Sequence, residues 1–303
     1  AVKWSGGRLL LLLVLVTMPF LAHADRIIHR EQSLYSQIVV KQDGAVVCLQ
    51  FHVRSNLRNQ TCKNKRHPKE MVFAYTRMMM TTLLFTPQPR NILIVGLGGG
   101  TLPMAFANLF PQVEIDSIEV DPAIVKVAKT HFGFVPSKRN RVHIRDARVW
   151  VKRAVLKAER KYDIIILDAF NGEYIPEHLM TREFFIDLKQ MLAPRGVLAS
   201  NTFTISDLYD YESVTYASVF GNFINFRTAQ SANRVIIAPQ IELSNEALHA
   251  RANEIDASLK PYKVPIRRYT RQMLSARTKR PDWNQNVRPL SDQYSPANLL
   301  QGR

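Results

Sequence analysis

From residue 91 onward, short apolar runs alternate with stretches whose apolar residues recur at helical spacing. The runs Ile92–Val95, Val113–Val120, Val142–Ile144, Tyr162–Leu167 and Gly196–Asn201 read as strands. Between them the spacing predicts helices near Leu102–Leu109, from Pro122, near Ala147–Glu159 and near Arg182–Leu192. A helix near Tyr211–Phe220 and the β-prone runs Phe223–Thr228 and Arg234–Ala238 bring the strands to seven. Such alternation predicts a largely parallel sheet with helices on both faces. Ahead of it, Ser36–Val40 and Ala45–Phe51 flank Asp43-Gly44, a two-residue hairpin turn signal, so a small β unit precedes the large sheet. A helical stretch is expected over 68–85, with Met78–Met80 as core packing. Past Pro239 the pattern predicts one helix, Asn245–Ser258, followed by a basic, proline-punctuated tail.

The start of the chain departs from this pattern. Lys3 and Arg8 precede the apolar run Leu9–Val16, and Ala22-His23-Ala24 places small residues where a signal peptidase cuts. We expect residues 1–24 to be a signal peptide, with export to the periplasm or anchoring to a membrane through this segment. The remaining divisions expected are a β-hairpin domain over 25–67, a nucleoside-binding domain over 68–240, and a C-terminal helix and basic tail over 241–303. Cys48 and Cys62, the only two cysteines, have a spacing that an exported protein can close as a disulfide. Lys and Arg outnumber Asp and Glu by 41 to 25, a net charge of +16 that favours an anionic surface or partner, although the chain carries no specific nucleic-acid motif.

Ligands of open parallel sheets bind beyond the carboxyl ends of the strands, so the residues there carry the candidate chemistry. Gly96, Gly98, Gly99 and Gly100 end the first strand, where a turn without side chains lets backbone N–H groups approach a ligand. Glu119 and Asp121 end the second, about 20 residues on, at the distance where a carboxylate chelates ribose hydroxyls. Asp146 follows the third strand and Asp168 ends the fourth. Helix capping is the competing role for Asp121 and Asp146.

The stretches "NILIVGLGGGTLP", "IDSIEVDPAIVKVAKTHFGF", "RVHIRDARVW" and "YDIIILDAFNGEYIPEHLMTREFF" resemble, in order and spacing, the spermidine synthase (polyamine aminopropyltransferase) family. "SLYSQIVV" and "PLSDQYSP" resemble the family's N-terminal β domain and its C-terminal end. The resemblance implies an α/β, class I methyltransferase-like (Rossmann-like) fold with a seven-stranded sheet and a small N-terminal β domain. It implies S-adenosylmethionine or its decarboxylated form as donor substrate, a small-molecule amine acceptor, no metal, and a homodimer as a possible assembly. It places Gly96, Gly98 and Gly100 beside the sulfonium nucleoside, Glu119 on its ribose, and Asp146 with the backbone of Ala147 at its adenine. Asp168 matches the catalytic aspartate that accepts the amine's proton, with Glu173 and Tyr174 on the same acceptor loop.

Two positions depart from the family pattern. Gly99 stands where the family has an aspartate that holds the donor's amine, and Asn171 replaces a second acceptor-facing carboxylate. Three readings therefore stay open: aminopropyl transfer, methyl transfer from S-adenosylmethionine, and a non-catalytic exported binding domain.

Overall fold

The computed structural model describes residues 26–53, 56–158, 160–169, 175–229 and 231–296. The expected leader, Asn171, Glu173 and Tyr174 lie outside the described residues. No helix among the described residues is long and apolar enough to cross a membrane.

The N-terminal β unit is larger than its hairpin. Strands β1 (Arg26–Gln32), β2 (Gln37–Asp43), β3 (Val46–Val53) and β4 (Asn56–Asn64) form an antiparallel meander in the order β1-β2-β3-β4. The β2–β3 hairpin was legible from its β-prone runs and the Asp43-Gly44 turn; β4, "NLRNQTCKN", is too polar to read as a strand. Cys48 and Cys62 face each other across β3 and β4 and are bridged, with Cα atoms 4.1 Å apart. The inner face of this sheet, Ile38, Val40, Val47, Leu49 and Phe51, packs on Ala123, Ile124, Val127 and Phe132 of the following unit.

That unit holds the expected seven strands, β5 (Asn91–Val95), β6 (Glu114–Glu119), β7 (Asn140–Ile144), β8 (Tyr162–Leu167), β9 (Leu192–Phe203), β10 (Ile224–Arg227) and β11 (Asn233–Pro239). Their order is β10-β11-β9-β8-β5-β6-β7. Strands β5 to β9 are mutually parallel, β11 is antiparallel to β9 and to β10, and so β11 alone runs against the rest. The central strands are apolar on both sides because both faces are covered. Ile92, Ile94, Ile164 and Ile166 enter one core layer, while Leu93, Val95, Ile165 and Leu167 enter the other.

Helices α2 (Thr101–Leu109), α3 (Pro122–Phe132), α4 (Ala147–Leu156), α5 (Arg182–Met191) and α6 (Tyr209–Phe220) connect the strands. The stretch over 68–85 is not one helix: α1 is only Ala74–Met79 and then tightens into a 3-10 turn over Met80–Leu84. There Thr81 and Thr82 turn their hydroxyls back onto the carbonyls of Met78 and Met79, a local bond that competes with regular helix.

After α7 (Asn245–Leu259), the tail expected to be irregular forms a further helix, α8 (Ile266–Arg277). Ile266, Tyr269, Thr270, Met273 and Leu274 are its buried stripe, at spacings of three and four. Beyond it, the "PLSDQYSP" segment returns to the sheet's carboxyl end. Leu290 is buried, its N–H donates to Thr215 Oγ1, its carbonyl accepts from the Arg182 N–H, and Asp292 pairs with Arg148.

The bridge closes a short loop, which limits the unfolded chain and stabilises the meander by about 3 kcal/mol in the chain-entropy account. Replacing both Cys48 and Cys62 by Ser is expected to lower unfolding free energy by that amount in a urea titration. The wild type under reducing conditions should match the variant.

Candidate active site

The sheet's strand order reverses between β5 and β8, and the turns after these two strands are in contact. Gly96 has φ +96°, its N–H donates to Ile118 O at 2.8 Å, and Asp168 N–H donates to Val95 O at 2.8 Å. A Cβ built on Gly96 would lie 2.3 Å from the Asp168 carbonyl oxygen, so only glycine lets the two turns meet. Beside this junction lies a cavity of about 310 Å³. Its wall includes Gly96, Gly98, Glu119, Asp121, Asp146, Ala147 and Asp168, bringing together the glycine turn of one strand end and acids from three others.

Each of these acids is held by backbone donors or by a neighbouring side chain. Glu119 accepts from Leu97 N–H through Oε2 at 3.1 Å and from Asp121 N–H through Oε1 at 3.0 Å. Both oxygens are thus fixed in direction, and each keeps a lone pair for a ligand hydroxyl. Burial pushes its carboxyl above the ordinary value, and the N–H groups of Asp121 and Leu97 oppose that rise. Asp121 caps α3 through Oδ1, 2.9 Å from Ala123 N, while its buried Oδ2 has no hydrogen-bond partner. Asp146 caps α4 through Oδ1, 3.0 Å from Val149 N, and its Oδ2 lies 2.9 Å from Nε2 of His178. Asp121 and Asp146 are therefore caps and cavity-lining groups at once.

Asp168 sits on the opposite side of the glycine turn. Asn201 Nδ2 donates to its Oδ1 at 2.9 Å, and the Tyr75 hydroxyl donates to its Oδ2 at 3.2 Å. Burial pushes the carboxyl up from 3.8 to about 7, against the pull of these two donors. The Tyr75 hydroxyl is itself pushed well above its ordinary value, first by burial and then by the Asp168 charge, so it stays a donor. A carboxyl poised near neutrality in a cavity is suited to take up and release a proton.

Gly99 and Gly100 do not line the cavity, because their outer sides are filled. A Cβ on Gly99 would come within 2.8 Å of Thr61 Cγ2 and 2.9 Å of the Phe132 ring, and one on Gly100 within 2.6 Å of Phe134. Thr61 arrives from β4, where it also lies against Thr101 Oγ1 at 3.4 Å, while Lys63 Nζ donates to Phe132 O at 2.6 Å. The N-terminal sheet thus supplies a cavity wall with Tyr35, Ser36, Gln60 and Thr61. Sequence reasoning missed Tyr75, Asn201, His178 and Thr61. Tyr75 was hidden in a helix read as core, and Asn201 occupies the last position of a strand read only for its apolar residues. No pattern marked Thr61.

Residues 72–240 match the family model described as the spermine/spermidine synthase domain. A polyamine aminopropyltransferase of Vibrio vulnificus is 48% identical over 292 residues, covering 95% of this chain and 96% of that protein. Two solved structures share the fold. A probable spermidine synthase from Corynebacterium glutamicum superposes with TM-score 0.62 at 20% identity, over 87% of this chain and 99% of that one. Human methyltransferase-like protein 13 in complex with SAH gives TM-score 0.55 at 23% identity, over 75% of this chain and 99% of that one.

Gly96 and Gly44 provide an internal comparison, since both have positive φ but no atom lies within 4 Å of a Cβ on Gly44. Gly44→Ala is expected to cost about 1 kcal/mol from backbone strain alone. Gly96→Ala adds the displacement of β8's end, roughly 1–3 kcal/mol more. Denaturant titrations of the two variants measure the difference.

Proposed function

We propose that this chain, which belongs to the spermine/spermidine synthase family, moves an aminopropyl group from decarboxylated S-adenosylmethionine to a small-molecule amine. The observation that carries this reading is the placing of Asp168, poised near neutrality, across the glycine turn from Glu119 in one cavity. Glu119 takes the ribose hydroxyls of the donor, with Asp121 Oδ2 open beside it. Asp146 and the backbone of Ala147 take the adenine edge. The donor's sulfonium then lies by Gly96 and Gly98, facing Asp168.

The acceptor nitrogen attacks the propyl carbon bonded to sulfur. A C–N bond forms, the C–S bond breaks, and its electron pair returns to sulfur, leaving neutral methylthioadenosine. The ammonium so produced, or the acceptor before attack, gives its proton to Asp168, while Tyr75 and Asn201 keep that carboxylate directed. Holding nitrogen and carbon in line replaces a bimolecular encounter with an oriented one, the larger part of what such a site contributes.

One observation favours methyl transfer as a second reading. The position where the family places an acid for the donor's amine is Gly99, and Thr61 and Phe132 fill the space a side chain would need. A donor that keeps its carboxylate meets no acid there. Calorimetric titration with S-adenosylmethionine, its decarboxylated form and methylthioadenosine distinguishes the readings. Preference for the decarboxylated donor, with formation of aminopropylated product, supports the first; preference for the carboxylated donor, with methylated product, replaces it.

Glu119→Gln keeps the size and removes the charge, so donor affinity should fall by about 1.5–3 kcal/mol. The same titration reads this directly, and an unchanged dissociation constant moves the ribose site elsewhere. Asp168→Asn should leave donor binding nearly intact and lower turnover by about 10²–10⁴.

The carboxylate form is the active one, so turnover should decline as pH falls through about 7. The sign for stability is opposite. An acid whose folded pKa is raised stabilises the fold below its unfolded value near 4 and loses that contribution as pH rises through about 7. Ligand-free wild type should therefore lose stability between pH 5 and pH 8 relative to Asp168→Asn, which lacks this dependence.

A further inference from the structure

Behind Asp168 the hydrogen bonds continue into the antiparallel edge of the sheet. Asp168 follows Leu167, which pairs with Ser200 in the parallel β8–β9 ladder, so Asn201 stands beside it. Asn201 is buried and pairs in register with Val235, while Asn233 pairs with Phe203. The two asparagines are therefore diagonal neighbours on one face of the β9–β11 pair. Asn233 Nδ2 donates to Asn201 Oδ1 at 2.9 Å, and Asn201 Nδ2 donates to Asp168 Oδ1 at 2.9 Å.

The direction of these bonds is set at the far end. The backbone N–H of Asn233 donates to Ser231 Oγ at 3.0 Å. A backbone N–H cannot reverse its role, so the serine hydroxyl accepts there and directs its own proton to Asn233 Oδ1, 3.3 Å away. With its oxygen committed to Ser231, Asn233 has only its NH₂ to offer Asn201. Asn201 must then accept through oxygen and present its NH₂ to Asp168. Every link points the same way.

We propose that Asn201 and Asn233 are positioning residues, whose amides form a one-way chain that presents an N–H and never a carbonyl to Asp168, favouring its carboxylate form inside the cavity. Its use in proton transfer rests on the function proposed above; the chain and its effect on the carboxylate do not. The groups facing Asp168 are Tyr75 from α1, Asn201 from β9 and the glycine turn after β5, and no charged side chain bonds to it among the described residues. The other titratable groups lining the cavity among the described residues are Tyr35, Glu119, Asp121, Arg145, Asp146 and His178.

The test is a carboxyl titration by ¹³C NMR on the full chain carrying aspartate labelled at the side-chain carboxyl, with the Asp168 signal assigned by its absence in Asp168→Asn. Asn201→Leu removes the donor at similar volume and should raise the Asp168 midpoint by about one to two pH units. Asn233→Ala frees the Asn201 amide to turn and should raise it by less. This second site is half-exposed at the start of β11, and it decides the matter if Asn201→Leu does not fold. A midpoint that stays put, or falls, in either folded variant overturns the inference. Because the titration needs no turnover, a raised midpoint in a protein that forms no aminopropylated product upholds the chain while refuting the functional reading.

Discussion

The contact between the end of β5 and the end of β8 is the constraint on which the site depends. After these two parallel strands the chain turns to opposite faces of the sheet, and Gly96 lets the Asp168 backbone come closer than any side chain would permit. Because the turns touch, the surface proposed for the donor nucleoside and the carboxylate proposed for the acceptor share one cavity. Anything that separates the turns separates binding from chemistry. The apolar alternation of β5 and β8 into both core layers keeps the two strands from sliding, since a one-residue slip would exchange the layers.

Around this junction, charges are held by directed donors more than by countercharges. Glu119, Asp121 and Asp146 all accept backbone N–H bonds, and Asp168 accepts from an amide and a phenol. Such donors fix orientation without neutralising charge, so the carboxylates stay available to a ligand. Apart from Asp146 with His178, the ion pairs among the described residues lie away from these acids. Arg141 bridges Glu114 and Asp116 on the outer part of the sheet, and Arg234 is buried against Glu212 beneath α6. These are fully engaged and serve the frame.

The seven strands and their connecting helices were legible because most are either apolar throughout or amphipathic at one period, and the regular alternation of the two placed the rest. The candidate acids were legible for a different reason: each follows a readable strand at the sheet's carboxyl end. What escaped was set by tertiary contact. Helix α8 carries arginines between its buried residues, so its stripe of Ile266, Tyr269, Met273 and Leu274 did not stand out from a basic tail. Strand β4 is polar because it lies at a sheet edge with one side turned to the cavity. Tyr75 and Asn201 belong to the site only because the fold brings positions 93 and 33 residues away to Asp168, a distance no local pattern encodes.

The packing of Thr61 and Lys63 against the glycine turn and Phe132 has a kinetic meaning. The meander and the α2–α3 region each form mainly from neighbours in sequence, whereas these contacts join residues 40 and 69 positions apart. Such closures cost more chain entropy than local ones and gain stability only when both sides already exist. The ligand cavity is thus complete only when the meander and the large sheet are joined. A chain that has formed its large sheet but not this seam would have Glu119 and Asp168 in place and one wall missing.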